Sequence, residues 1–185
     1  MVRDSFEIVM EAIPWDHMST MLESIGCMAE SVSQTEVHGD PVAIGDWLAG
    51  NFDEFACSSC LVQVINDFRL GSAVHIPTLL IRVFRFDGLA SIDLSFDMDW
   101  SNAGVAMPML HRHFLKLKLL TGARAVYGGM EPAQDLDTRF FTDDECGPLG
   151  ISDACFKTSI QGHGNAKLTH TQDDINVLQR VKVWR

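Results

Sequence analysis

Apolar positions recur at two periods along this chain, and each change of period marks an element boundary. Around Asp87-Gly88 the period is two. A two-residue turn there sets Phe86 opposite Leu89, Phe84 opposite Ser91, Arg82 opposite Asp93 and Leu80 opposite Ser95. The alternate residues Arg85, Val83, Ile81 and Leu79 then meet Ala90, Ile92, Leu94 and Phe96. Opposed residues point the same way, so one face of this hairpin is apolar. The other carries an Arg82–Asp93 pair and a row of carboxylates. Ser5 to Ala12 also alternates and predicts a strand with Phe6, Ile8, Met10 and Ala12 on one face.

Elsewhere the period lengthens. Pro14 suits a first helical turn, and Trp15, Met18, Met21, Leu22, Ile25, Met28, Ala29 and Val32 follow helical spacing. A helix over 14–32 is expected. His38-Gly39-Asp40-Pro41 signals a turn. Asn51 and Glu54 resemble a cap pair, and Cys57, Leu61, Val64, Ile65 and Phe68 fall on one helical face, ending near Gly71. That favours a helix over 51–71, although Leu-Val-Gln-Val-Ile is also β-prone. Ser101-Asn102 offers caps for another helix, with Pro108 in its first turn. Met107, Leu110, Phe114, Leu117 and Thr121 form its stripe, and Gly122 ends it. Ala123 to Tyr127 reads as a short strand that Gly128-Gly129 breaks.

The resulting order is strand, helix, helix, strand, strand, helix, strand. It predicts an α+β fold: an antiparallel or mixed sheet with helices packed on one face, ferredoxin-like with insertions. One domain over 1–185 is expected, its loop-rich part 128–185 packing on the sheet. Thr171 and Asp174 suggest a short terminal helix, with a final strand at Val181–Trp184 as the alternative. The expected core takes Met18, Leu22, Ile25, Ile81, Val83, Ile92, Leu94, Phe96, Leu110, Phe114 and Leu117.

Composition narrows the function classes. Of 185 residues, 46% are hydrophobic and 21% charged, which suits a folded chain. The net charge of −11 disfavours nonspecific binding to nucleic acid or to an anionic membrane. It suits a basic protein partner, a divalent cation, or solubility. The N-terminus lacks a secretory pattern and no apolar run is long enough to span a bilayer, so a cytoplasmic location is expected. Cys27, Cys57, Cys60, Cys146 and Cys155 are odd in number and irregular in spacing, which fits reduced thiols. Cys57-Ser-Ser-Cys60 lacks the second ligand pair of a zinc site and reads as two small packed side chains.

Candidate chemistry is acidic. Asp93, Asp97 and Asp99 share one strand parity; Asp97 and Asp99, about 7 Å apart, would share a divalent ion with Glu131 from the Gly128–Pro132 loop. With Mg or Mn this would make a hydrolase acting on a phosphorylated substrate. Arg82 is expected to neutralise Asp93. Asp135, Asp137, Asp143, Asp144 and Glu145 follow, opposed only by Arg139, in a run too irregular for an EF-hand. His111 and His113 diverge on a helix and cannot chelate one ion, and no local motif joins Cys155 to His163 or His170. Phosphate-binding loops, the nucleophile elbow and His-Glu-x-x-His are absent. The tail from Phe156 is net basic and could fold back onto the acidic body.

The preferred expectation is therefore a binding module without a cofactor: an inhibitor or immunity-type protein that neutralises a basic protein partner. Its expected anchors are Asp97, Asp99, Glu131, Asp135 and Asp137, with Trp100 and Tyr127 as aromatic hot spots. Neither nucleic acid nor a membrane is an expected partner, and the metal-dependent hydrolase is the alternative.

Overall fold

The structure is a computed structural model and describes residues 4–28, 31–42, 60–72, 74–143 and 145–149. The Asp87-Gly88 hairpin stands at its centre. Strand β5 (Val74–Phe86) pairs with β6 (Leu89–Met98) in the register Leu80↔Ser95, Arg82↔Asp93, Phe84↔Ser91 and Phe86↔Leu89. Asp87 and Gly88 have φ of 44° and 77°, the pair of left-handed residues that a twist-matched two-residue turn requires.

Seven further strands extend this hairpin among the described residues. They are β1 (Asp4–Pro14), β2 (Gln34–Val37), β3 (Asp40–Val42), β4 (Cys60–Leu70), β7 (Ala125–Met130), β8 (Arg139–Thr142) and β9 (Glu145–Cys146). The sheet order is β3-β2-β4-β5-β6-β1-β7-β8-β9, and each paired neighbour is antiparallel. Two α-helices accompany it among the described residues, α1 (Met18–Met28) and α2 (Trp100–Thr121). Neither is long and apolar enough to cross a membrane.

This corrects the expected α+β, ferredoxin-like arrangement. Among the described residues strand predominates, in one nine-stranded antiparallel sheet, because three segments expected as helix or loop are extended. Residues 60–70 form β4 where a helix was expected. Leu61, Gln63 and Ile65 alternate inward, while Val62 and Val64 face outward. Pairing with both β2 and β5 satisfies the backbone of this segment, which outweighs an equally legible helical stripe. Residues 34–42 form the β2–β3 hairpin around His38 and Gly39. Residues 139–142 and 145–146 form β8 and β9, continuing the sheet past β7.

Smaller corrections follow from local geometry. A bulge at Ala12 (φ 52°) shifts the register of β1, so Ile13 and not Ala12 joins Phe6, Ile8 and Met10 in the core. The first helix is shorter than expected: residues 15–17 form a 3-10 turn and α1 ends at Met28. Pro108 lies inside α2, not in its first turn, and the helix begins at Trp100. Gly122 caps it in the left-handed conformation. Gly128 and Gly129 lie within β7 and do not break it. The expected elements at 171–174 and 181–184, and residues Cys57, Asp144, Cys155, His163 and His170, lie outside the described residues.

Phe6, Ile8 and Met10 of β1, Ile81 and Val83 of β5, and Ile92, Leu94 and Phe96 of β6 face the buried stripes of the helices in one core. Met18, Leu22 and Ile25 come from α1, and Leu110, Phe114 and Leu117 from α2. Every residue of the expected core is buried there.

Candidate functional site, the outer face of the sheet

The residues between the core positions build the outer face, and their pairing orders them into two halves. On β4 and β5 it is apolar: Val62, Val64 and Leu80 are half-buried, while Phe84 and Phe86 are 37% and 45% exposed. On β6 and β1 it is acidic, carrying Asp93, Asp97, Glu7 and Glu11. Arg82 stands on the border.

Glu7 is only 2% exposed, so its charge needs partners. Arg82 Nη2 donates to Glu7 Oε1 at 3.1 Å, to Ser95 Oγ at 2.7 Å and to Glu131 Oε1 at 3.4 Å. The Ala133 backbone N–H donates to Glu7 Oε2 at 3.0 Å. Asp93, opposite Arg82 in the ladder, is not among its hydrogen-bonded partners, which corrects the expected Arg82–Asp93 pair. The guanidinium turns toward the more buried carboxylate. Burial, with Glu7 as the next contributor, pushes the Asp93 carboxyl up to about 6, only partly offset by Arg82. Three carboxylates thus share one cation: Glu7 and Glu131 accept from Arg82, and Asp93 lies opposite it in the ladder.

The turn after β7 closes part of this face. Glu131 donates its backbone N–H to Ser5 O at 3.0 Å, and Ser5 Oγ donates to Asp97 Oδ1 at 2.7 Å. Ser5 therefore links the strand carrying Asp97 to the turn carrying Glu131. Between them opens a groove of about 270 Å³, lined by Pro77, Thr78, Leu80, Ser95, Phe96, Asp97 and Glu131.

The tip of the turn is held from within. Asp135 Oδ1 accepts from the Asp137 N–H at 3.2 Å, and the Thr138 hydroxyl donates to the Pro132 or Asp135 carbonyl. Arg139, the cation expected to offset this acidic run, turns inward: its Nε donates to Ala133 O at 2.8 Å and its guanidinium covers the Tyr127 ring at 4.0 Å. Asp135, Leu136 and Asp137 remain exposed, Leu136 at 65%.

The anticipated site residues therefore separate. Asp97 and Glu131 meet at the groove, and Asp135 and Asp137 sit on the adjoining turn. Asp99 does not join them. Strand β6 ends at Met98, and Asp99 is the N-cap residue of α2, its carbonyl accepting from the Asn102 and Ala103 N–H groups. Trp100 is 48% exposed but packs at the core side, with ring centroids 6.0 Å from Phe6 and 5.5 Å from Phe140. Tyr127 is 4% exposed and gives its hydroxyl to Glu11 Oε1 at 2.7 Å, so it supports the turn and presents no contact surface. Burial raises the Tyr127 hydroxyl well above the usual phenol range, and the Glu11 bond adds to this. Asp143 is also structural: it pairs with Lys118, accepts from the Val126 N–H at 3.1 Å, and its carbonyl accepts from the buried His111.

Asp97, Asp99 and Glu131 are thus not gathered as metal ligands. Among the described residues no group of three or more His, Cys, Asp or Glu side chains is placed to hold an ion. Phe84 and Phe86, the exposed aromatics of this face, were not among the anticipated site residues. Their outward parity was legible in the register, and an aromatic on the polar face was the signal.

Comparison with known proteins follows this geometry. No curated protein matches the chain. Its fold resembles a chain in the crystal structure of the toxic C-terminal tip of CdiA from Pseudomonas aeruginosa in complex with immune protein. That match has a TM-score of 0.63 at 23% identity, covering 80% of this chain and 99% of the other. The family model described as PABL017 Cdi1I immunity protein matches residues 4–146. This chain belongs to that immunity protein family.

Proposed function

We propose that this protein acts by binding, not catalysis: it neutralises a protein toxin of the CdiA C-terminal type by docking it on the outer sheet face. The observation that carries this reading is the juxtaposition of exposed Phe84 and Phe86 with a crowded set of carboxylates on one open face. Interfaces draw their energy from a few aromatic anchors, while carboxylates steer and orient a basic partner. Family membership and the similar complex support the same reading.

The partner surface is basic in this proposal, since the chain carries a net charge of −11 and Arg82 and Arg139 are both spent internally. Asp97 and Glu131 remain as anchors at the groove and Asp135 and Asp137 on the turn, with Phe84 and Phe86 taking the aromatic role first given to Trp100 and Tyr127. An inhibitor of this kind has only to fill a basic cleft with carboxylates.

The test is co-expression with the CdiA-type C-terminal toxin from the same genome. Wild-type protein should restore growth, and Phe84→Ala with Phe86→Ala should weaken both rescue and direct binding. Undiminished growth arrest with the wild-type chain, or no complex between the purified proteins, would refute the proposal.

A further inference from the structure

We infer that the groove beside Ser95 seats one cationic side chain, an arginine or lysine, supplied by the protein partner. The inference rests on the outer face being the docking surface and specifies what enters it. Three independent features converge.

The first is shape and lining. The groove of about 270 Å³ is lined by apolar Pro77, Leu80 and Phe96 together with polar Thr78, Ser95, Asp97 and Glu131. Arginine and lysine have the matching construction: an aliphatic stem that packs on carbon and a head that donates several hydrogen bonds.

The second is unused acceptor capacity. Asp97 receives the Ser5 hydroxyl on Oδ1, and Glu131 Oε1 is reached by Arg82 only at 3.4 Å. A carboxylate has about four lone-pair sites, so both retain acceptors on the groove side. Ser5 couples the two positions, its hydroxyl donating to the Asp97 carboxylate and its carbonyl accepting from the Glu131 backbone N–H.

The third is the charge balance. Glu7 and Glu131 share Arg82, the only cation hydrogen-bonded to either among the described residues, and Asp93 lies opposite it in the ladder. Asp93 is faced by Glu7 and Glu11 from β1, by Arg82 from β5 and by Glu131 from the turn, and it is pushed toward its neutral form. A second cation would relieve this repulsion. Arg82 already shows that a guanidinium fits these acceptors, since it binds Ser95 and Glu131 from the protein side.

The groove can be tested separately from the toxin. The full-length chain is titrated with agmatine, which carries a guanidinium on an aliphatic stem, and backbone amides are followed by NMR. A saturable response confined to Thr78, Leu80, Ser95, Asp97 and Glu131 is expected, and it should be lost in Asp97→Asn with Glu131→Gln. Shifts that do not saturate, or that persist unchanged in the double variant, would overturn the inference. The same variant, checked for unchanged thermal unfolding, should bind the toxin about tenfold more weakly. If the variant binds as wild type while Phe84→Ala does not, the groove is not a cation seat although the outer face is the interface. If the wild-type chain binds no toxin, the docking proposal fails, and with it the assignment of a partner to the groove.

Discussion

At the scale of single residues, Glu7 and Arg82 set the character of the outer face. Glu7 is buried because β1 runs through the middle of the sheet beneath the 131–138 turn, and Arg82 makes that burial tolerable. Arg82→Met should therefore cost about 3 kcal/mol in urea unfolding, the low end for breaking such a pair, since Arg82 is 30% exposed. Adding Glu7→Gln should recover much of the loss, because the neutral amide no longer needs the cation. Asp93 makes the opposite contribution. Its carboxyl titrates at about 6 in the fold against 3.8 unfolded, so between those values the folded chain holds a proton that the unfolded chain has released. Stability from this group is present at low pH and is lost as pH rises through about 6. Asp93→Asn should accordingly melt higher than wild type near neutral pH, and the two should converge toward about pH 4. Equal differences at both pH values would contradict this.

At the scale of elements, β7 and its turn are built around a glycine pair. A Cβ on Gly129 would lie 2.2 Å from the Thr138 carbonyl oxygen, and one on Gly128 would lie 2.6 Å from the Phe141 ring. Gly129 meets backbone, which cannot swing aside, so Gly129→Ala should lift the 131–139 segment from the sheet and cost about 1–3 kcal/mol. Gly88→Ala has open space but a φ of 77°, and should cost about 1 kcal/mol from conformation alone. Thermal unfolding of both variants measures the difference. Loss of the Ser5–Glu131 bond in Gly129→Ala, read by amide exchange, would show that the turn has lifted. The hairpin turn is more tolerant because it projects into solvent, while β7 is enclosed by β1 and β8.

At the scale of the molecule, one closed and one open sheet face divide the labour. The closed face takes the apolar stripes of α1 and α2, and the open face sets carboxylates of β6 and β1 beside the exposed Phe84 and Phe86 of β5. Association with a basic toxin should be electrostatically steered, so its rate should fall severalfold between about 20 mM and about 150 mM salt. Phe84→Ala should act mainly on dissociation instead, because anchors act after encounter. Stopped-flow association and dissociation measurements separate the two. An association rate indifferent to salt would remove the steering argument.

The sequence by itself determined the β5–β6 register, since Asp87-Gly88 leaves a two-residue turn few alternatives and a slip of one residue would bury Arg82 and Asp93. It also determined the core, because the apolar periods of residues 18–25 and 107–121 are unambiguous. The acidic surface, including Asp97 and Glu131, was likewise legible. Tertiary structure alone decided three things. It made 60–70 a strand, because Leu61–Phe68 satisfies both periods and only pairing with β2 and β5 selects one. It turned Arg82 away from Asp93 toward Glu7, because the more buried charge gains more from a partner. It set Tyr127 under Arg139 and left Phe84 and Phe86 in the open, because exposure depends on which chain segment crosses a face, and that segment is far away in sequence.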